Sequence, residues 1–149
     1  MSIPKDIQTV IQAPGNRNEE ITRDYLAFLD QHIGELLEGR ETEMLHINEI
    51  AQKLFISPVH LSNTVKLVTG RHPCYYFDLK IIQQANHLLA HTALSASEVA
   101  RRLTFDPSNF LKFYKKLTGL TPTEFREGKG GDPSTTLLFV MDMHARAHQ

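Results

Sequence analysis

Two short stretches of the chain combine amide, hydroxyl and ammonium side chains at the spacing of one helical face. Asparagine can form two hydrogen bonds with adenine, and lysine can donate to guanine. We predict contacts with DNA bases for Ser62, Asn63, Ser108, Asn109 and Lys112. We predict contacts with DNA phosphates for His60, Lys66, Arg71, Lys115 and Lys116. The chemistry expected of both stretches is therefore recognition of a nucleic acid rather than catalysis.

No other group of side chains predicts a reaction or a bound metal. No nucleophile stands at a suitable spacing from a base, and the glycine-rich residues 128–131 follow no predicted strand. The single cysteine, Cys74, cannot form an internal disulfide. The pairs His87 with His91 and His144 with His148 lack a third ligand at a suitable spacing. We expect no enzyme activity, no cofactor and no metal site.

The charge of the chain is unevenly distributed. The 149 residues carry a net charge of −1. Residues 45–126 hold ten basic and five acidic side chains, whereas residues 1–44 hold four and nine, and residues 127–149 hold two and three. The middle of the chain is therefore the part expected to meet a polyanion. The sequence shows neither a membrane-spanning apolar run nor a signal peptide, so we expect a cytoplasmic protein without membrane contact.

The two polar stretches belong to an internal repeat. Residues 45–73 align without a gap with residues 94–122, with nine identical pairs. Each copy contains a helix-capping residue (Ser57 or Asp106), a proline, a basic amphipathic run, the pair Thr-Gly and a closing proline. Glycine after such a run ends the helix. Each copy predicts a short helix, a tight turn and a second helix, which is the helix-turn-helix plan for the major groove of DNA.

The remaining apolar periodicity predicts helices and no strands. A stripe from Ile21 to Leu37 predicts a first helix with Asn18 as its N-cap, and an uninterrupted run over residues 74–91 predicts a long linker helix. The expected fold is all-α, with two helix-turn-helix subdomains joined by the linker helix and an extra N-terminal helix. The predicted divisions are an acidic helical extension (1–44), a DNA-binding domain (45–126, with units 45–73 and 94–126 around linker 74–91) and a C-terminal tail (127–149).

The predicted linker helix suits a single chain that uses two grooves. It would be about 27 Å long at about 1.5 Å per residue. Successive major-groove segments on one face of B-DNA lie about 34 Å apart. We therefore expect one monomer to insert its two recognition helices into adjacent segments.

Residues 45–126 resemble the DNA-binding domain of the AraC/XylS family of bacterial transcription regulators. The similar segments are INEIAQKLFISPVHLSNTVKLVTGRHP, QQANHLLAHTALSASEVA and NFLKFYKKLTGLTPTEFR. The resemblance implies a sequence-specific regulator that activates or represses transcription, in a family whose members often contact RNA polymerase. Alignment to the family places base-reading positions at Val59, Ser62, Asn63, Ser108 and Lys112.

The chain departs from the family pattern at three points. Thr104 stands where the family usually has glycine, in a turn one residue shorter than usual, and Ile81 stands where the linker often has arginine. About forty N-terminal residues are too few for the family's usual ligand-binding domain, so the chain resembles either the small single-domain members or a fragment.

Two alternatives remain open at this level. The low net charge favours a helical protein-interaction module that binds a regulator or a polymerase subunit without specific DNA binding. The acidic first helix either packs on the first unit, covers its groove-facing surface or recruits a partner. We expect a monomer, or a weak homodimer formed through that helix or through the apolar tail.

Overall fold

Residues 16–128 are described in a computed structural model of the chain. They form seven α-helices: α1 (Arg17–Leu37), α2 (Ile47–Lys53), α3 (Pro58–Thr69), α4 (Pro73–His91), α5 (Ala96–Arg102), α6 (Pro107–Thr118) and α7 (Pro122–Arg126). Residues 16–128 contain no strand. The all-α prediction is confirmed, with α2 and α3 as the first helix-turn-helix unit, α4 as the linker helix, and α5 and α6 as the second unit.

Helix α1 begins two residues earlier than predicted. Asn16, not Asn18, is the N-cap: its Oδ1 accepts from the backbone N–H of Glu19 at 2.9 Å, and Glu19 accepts in return from the N–H of Asn16. This reciprocal arrangement satisfies two amides that would otherwise lack partners. Asn18 lies in the first turn, where its carbonyl accepts from the Thr22 hydroxyl.

The apolar stripe of α1 belongs to the core of the first unit. Ile21, Tyr25, Leu29 and Ile33 are buried, and α1 packs against α3 and α4. The helix therefore takes the packing role that the sequence left as one of three alternatives. The boundary predicted at residue 45 remains a prediction, although α1 shares its core with the helices that follow.

The repeated Thr-Gly pair ends both second helices in the same way. Thr69 donates its hydroxyl to the carbonyl of Val65 at 2.7 Å and accepts from the N–H of Arg71. Thr118 makes the equivalent bonds with Tyr114 and Leu120. Gly70 and Gly119 adopt φ values of 80° and 77°, a left-handed conformation that favours glycine. The two prolines that close the repeat begin the next helix, α4 or α7.

The turns between the paired helices are also equivalent. In both units the second helix begins five positions after the first one ends, so the second turn is no shorter than the first. Phe55 and Thr104 occupy matching positions and have φ values of 61° and 63°. The family pattern pointed to Thr104 as a position for glycine, and the gap-free repeat pairs that position with Phe55.

Candidate nucleic-acid interface

The outward face of α3 is open to solvent. Val59 is 69% exposed, and His60, Asn63 and Lys66 are exposed, whereas Ser62 is half-buried. The opposite face, with Leu61 and Val65, is buried in the core that α1 shares. Helix α1 therefore packs behind the recognition helix and does not cover its groove-facing surface.

Helix α6 presents the matching face of the second unit. Its outward side contains five exposed residues: Ser108, Asn109, Lys112, Lys115 and Lys116. Its inward side contains Phe110, Tyr114 and Leu117, which are at most 1% exposed. The same 3.6-residue period that packs the core thus leaves all five predicted polar residues accessible.

Different cap residues start the two recognition helices. Ser57 accepts from the N–H of His60 at 3.1 Å. Asp106 accepts from the N–H of Asn109 at 3.2 Å and from the Ser108 hydroxyl at 2.6 Å. These bonds, that of Ser108 first, lower the pKa of the Asp106 carboxyl because they favour its charged form. The Ser108 hydroxyl is thus already engaged beside the helix start, whereas the Asn109 side chain projects into solvent.

Three cations counted in the basic middle of the chain have structural contacts. Lys80 is 4% exposed, and its Nζ lies 2.6 Å from Oδ1 of Asp30. Arg126 donates to the carbonyls of Leu89, Thr92 and Leu94, which closes the end of the linker helix. The guanidinium of Arg71 lies over the Tyr75 ring, 4.6 Å from its centroid. The charge available to a polyanion is therefore smaller than the sequence count, and Arg71 is only half-exposed.

Four further residues extend the two outward surfaces. Arg101 and Arg102 are exposed in the last turn of α5, beside the second recognition helix. Leu67 and Leu111 are 74% and 45% exposed on α3 and α6. The adjacent arginines are visible in the sequence as a possible site of phosphate contact. The exposed leucines give no such signal, because an apolar residue in an amphipathic helix predicts burial.

The two faces differ in character. The outward face of α3 has one lysine, Lys66, together with the exposed apolar side chains of Val59 and Leu67. The outward face of α6 has three lysines, with Arg101 and Arg102 nearby. Phosphate contacts depend on cationic side chains, so the second unit is better suited to hold a phosphate backbone.

The described residues were also compared with the requirements of a metal site and of a membrane span. The rings of His87 and His91 lie 4.7 Å apart on α4, and no group of three or more His, Cys, Asp or Glu side chains within residues 16–128 could hold a metal. His144 and His148, and most of the predicted tail, lie outside the described residues. None of the helices between residues 16 and 128 has the length and apolar character of a membrane span.

A family model described as a helix-turn-helix domain matches residues 50–128, more than half of the chain. The match begins within α2 and covers the rest of the first unit, the linker helix, the second unit and α7. The chain belongs to the AraC/XylS-type helix-turn-helix family. The resemblance inferred from the three quoted segments is thus confirmed.

Named relatives of this AraC/XylS-type chain include sugar-operon regulators. The arabinose operon regulatory protein of Salmonella typhimurium is 29% identical over 107 residues, which is 71% of this chain and 36% of that protein. This chain thus spans about a third of that relative's length.

Solved structures share the arrangement of helices. The C-terminal domain of AraT, a response regulator from Geobacillus stearothermophilus, matches 78% of this chain and 92% of its own at a TM-score of 0.65 and 24% identity. The DNA-binding domain of the global transcriptional factor AdpA, solved in complex with a target DNA, matches 67% of this chain and 90% of its own at a TM-score of 0.55 and 23% identity. At these identities, the likeness concerns the fold.

Proposed function

We propose that this chain is a sequence-specific DNA-binding regulator of transcription that reads two half-sites with α3 and α6. The observation that carries the proposal is the structural repeat: two equivalent helices, capped and ended by the same kinds of contact, expose polar and basic faces from one framework. The AdpA domain, which has the same fold, was solved in complex with its target DNA. A cytoplasmic location, where bacterial DNA lies, follows from this function.

The residue roles are part of the same proposal. Val59, Asn63, Asn109 and Lys112 face outward and suit base contacts, whereas the Ser62 and Ser108 hydroxyls have less freedom because one is half-buried and the other bonds to Asp106. The proposed phosphate contacts are made by His60, Lys66, Arg71, Lys115 and Lys116, to which the exposed Arg101 and Arg102 are added.

The stiff connection between the units supports binding by one monomer. Helix α4 runs over 19 residues, which corresponds to about 28 Å. Its second half is tied to α6 by the hydrogen bond from Tyr114 to Asn86 and to the following loop by Arg126. We propose that this frame sets the spacing of the two half-sites and that contact with RNA polymerase, if required for activation, uses another surface.

A salt titration tests the proposal. Affinity for a duplex of random sequence should fall linearly on a log–log plot, with a slope of roughly −5 for six phosphate contacts made by Lys and Arg. The double variant Lys115→Gln, Lys116→Gln should reduce the slope by roughly two. The matched control Lys80→Met should leave the slope unchanged, because Lys80 is buried. Absent or salt-independent binding would contradict the proposal.

The second candidate function is a protein-interaction module. It is favoured by three exposed apolar side chains on the first unit, Phe55, Val59 and Leu67, with exposures of 94%, 69% and 74%. Exposed apolar patches commonly mark protein contacts. The same salt titration separates the two functions, because an apolar contact with a protein would persist at salt concentrations that abolish binding to DNA.

A further inference from the structure

A cavity of about 550 Å³ lies where the two helix-turn-helix units meet the linker helix. The loop between α1 and α2 borders it on the side of the first unit, and the first half of α4 forms its base. Thr104 and Phe105 from the second turn, with Phe113 from α6, close the other side. A molecule in this cavity would touch both units and the helix that joins them.

Most of the cavity wall is apolar. Phe77 and Ile81 of α4 face Phe105 and Phe113 of the second unit, and Met44 lies on the loop side. Cavities of roughly 300 to 1,000 Å³ with such walls and a few polar groups are typical of small-molecule sites. The dimensions and lining therefore suit a compact organic ligand with an aromatic or aliphatic body.

The charged groups around the cavity favour a ligand with a positive charge. Within residues 16–128, its lining contains the carboxyl groups of Glu43 and Asp78, the imidazole of His46, and no lysine or arginine. Burial raises the pKa of Asp78 to about 7, against a smaller opposing effect of Lys116 on α6. A cationic group placed beside Asp78 would favour the carboxylate, whereas an anionic group would be repelled by both carboxyl groups in their charged forms.

One hydroxyl group of the lining has no hydrogen-bond partner among the described residues. It belongs to Thr104, which is held at a φ of 63° and whose hydroxyl oxygen is buried. Buried polar atoms in folded proteins nearly always have a partner. The Tyr25 hydroxyl, by contrast, already donates to the Pro73 carbonyl at 2.9 Å. Because this oxygen has almost no surface open to a water-sized molecule, Thr104 could bond to a ligand only after its side chain rotates.

We propose that this cavity binds a small apolar amine, with its ammonium group at Asp78 and its apolar body against Phe77, Phe105 and Phe113. Because Phe113 belongs to α6, the bound amine would shift the second recognition helix relative to the linker helix. Lys112, Lys115 and Lys116 move with that helix. Occupancy of the cavity therefore changes DNA affinity. This change in affinity rests on the proposed DNA-binding function, whereas the proposed amine site does not depend on that function.

Three indole probes of similar shape test the sign of the ligand: tryptamine, tryptophol and indole-3-acetate are cationic, neutral and anionic. The chain contains no tryptophan, so indole fluorescence reports the probe alone. Tryptamine should bind the full chain at least about tenfold more tightly than indole-3-acetate, as a charge-assisted hydrogen bond implies. Asp78→Asn should weaken tryptamine about tenfold and leave tryptophol nearly unchanged. Equal affinity for all three probes, or no binding up to millimolar concentration, would overturn the proposal.

The single cysteine locates the bound probe. Cys74 lies in the cavity lining, and burial raises the pKa of its thiol, so alkylation by iodoacetamide is measured at mildly alkaline pH. Increasing concentrations of tryptamine should slow alkylation of Cys74 in proportion to the occupied fraction of the cavity, up to saturation. An unchanged rate would place the probe elsewhere and overturn the proposal. This experiment and the probe series use the unaltered chain, so they decide the matter whether or not Asp78→Asn folds.

The coupling to DNA is measured separately. Saturating tryptamine should change the affinity for duplex DNA severalfold, and Asp78→Asn should abolish the change. Tryptamine that binds the cavity while DNA affinity stays constant would overturn the coupling alone. A chain that binds tryptamine but no DNA would instead contradict the proposed function and leave the ligand site supported.

Discussion

The ammonium group of Lys80 in the linker helix lies 2.6 Å from a carboxylate oxygen of Asp30 in α1. The lysine side chain is 5% exposed and the aspartate side chain is 51% exposed. The buried ammonium group is therefore paired with a carboxylate at the protein surface. This ion pair links α1 to α4, the helix that joins the two units.

Removal of Asp30 should destabilise the fold more than removal of both charges. Asp30→Ala leaves Lys80 buried without its carboxylate, and we expect a loss of about 1 to 3 kcal/mol in the free energy of unfolding, below the range for fully buried pairs. Lys80→Met in the Asp30→Ala background should recover most of that loss, because the buried charge is gone. Urea unfolding of the two variants measures the difference, and equal losses would show that the unpaired ammonium group of Lys80 does not destabilise the folded chain.

Asn63 and Lys115 should differ in what they contribute to DNA binding. Asn63→Ala should cost about 1 to 3 kcal/mol on a site selected from a random pool, with little effect on random DNA, because its amide is proposed to read a base. Lys115→Gln should weaken binding to both, because a phosphate contact carries no sequence information. Both side chains are exposed, so the fold should be unaffected. Equal losses for Asn63→Ala on the two DNAs would remove it from the base-reading set.

The hydroxyl of Tyr114 should set the position of the second recognition helix. It donates to Oδ1 of Asn86 at 2.6 Å, which links α6 to the linker helix. Tyr114→Phe keeps the ring and should cost about 0.5 to 1.5 kcal/mol in unfolding free energy. It should also reduce discrimination at the second half-site. Tyr25→Phe is the matched control, since it removes the bond to the Pro73 carbonyl and should leave the second half-site readout intact.

Asp78 should make the fold less stable as pH rises. Burial raises its pKa from 3.8 to about 7, so between these values the folded chain keeps a proton that the unfolded chain releases. Its contribution to stability is complete below about pH 4 and declines as pH rises towards 7. The neighbouring groups are Tyr25 on α1, Cys74 on α4 and Lys116 on α6.

Denaturant unfolding of Asp78→Asn across this range isolates the effect. The asparagine variant lacks the titration, so the difference in stability between it and the unaltered chain should grow in favour of the variant between pH 4 and pH 7 and then level off. A difference that is constant with pH would show that the carboxyl titrates normally in the folded state.

Glycine at the two strained turn positions should stabilise the fold. Left-handed backbone conformations cost non-glycine residues about 1 to 2 kcal/mol, and a β-branched residue is among the least suited to them. Thr104→Gly should therefore stabilise more than Phe55→Gly, since it also removes a buried hydroxyl without a partner in the described part of the chain. Thermal unfolding compares the two variants. A loss of stability in Thr104→Gly would mean that its methyl group contributes more to packing than the strain costs.

Much of the fold could be predicted from the sequence because its signals are local. Ser57, Asp106 and Ser95 bond to amides three residues ahead, and Thr69 and Thr118 bond to carbonyls four residues back. Such contacts depend on residue type and spacing, so the repeat predicted both helix pairs and their ends. The error at α1 missed a signal of this local kind, because Asn16 is followed three residues later by Glu19, the spacing of a capping box, whereas Asn18 is followed at that spacing by Ile21.

The residues that define the candidate site were visible in the sequence, but their availability was decided by contacts between distant segments. The 3.6-residue period determined by itself the polar outward faces of α3 and α6, although not the exposure of Leu67 and Leu111. Lys80 and Asp30 lie fifty positions apart, and Tyr114 and Asn86 lie twenty-eight apart. The cavity gathers Met44, Asp78 and Thr104 from three parts of the chain. Desolvation and close packing act only after those parts meet, so the burial of Lys80 and the raised pKa of Asp78 belong to the tertiary structure alone.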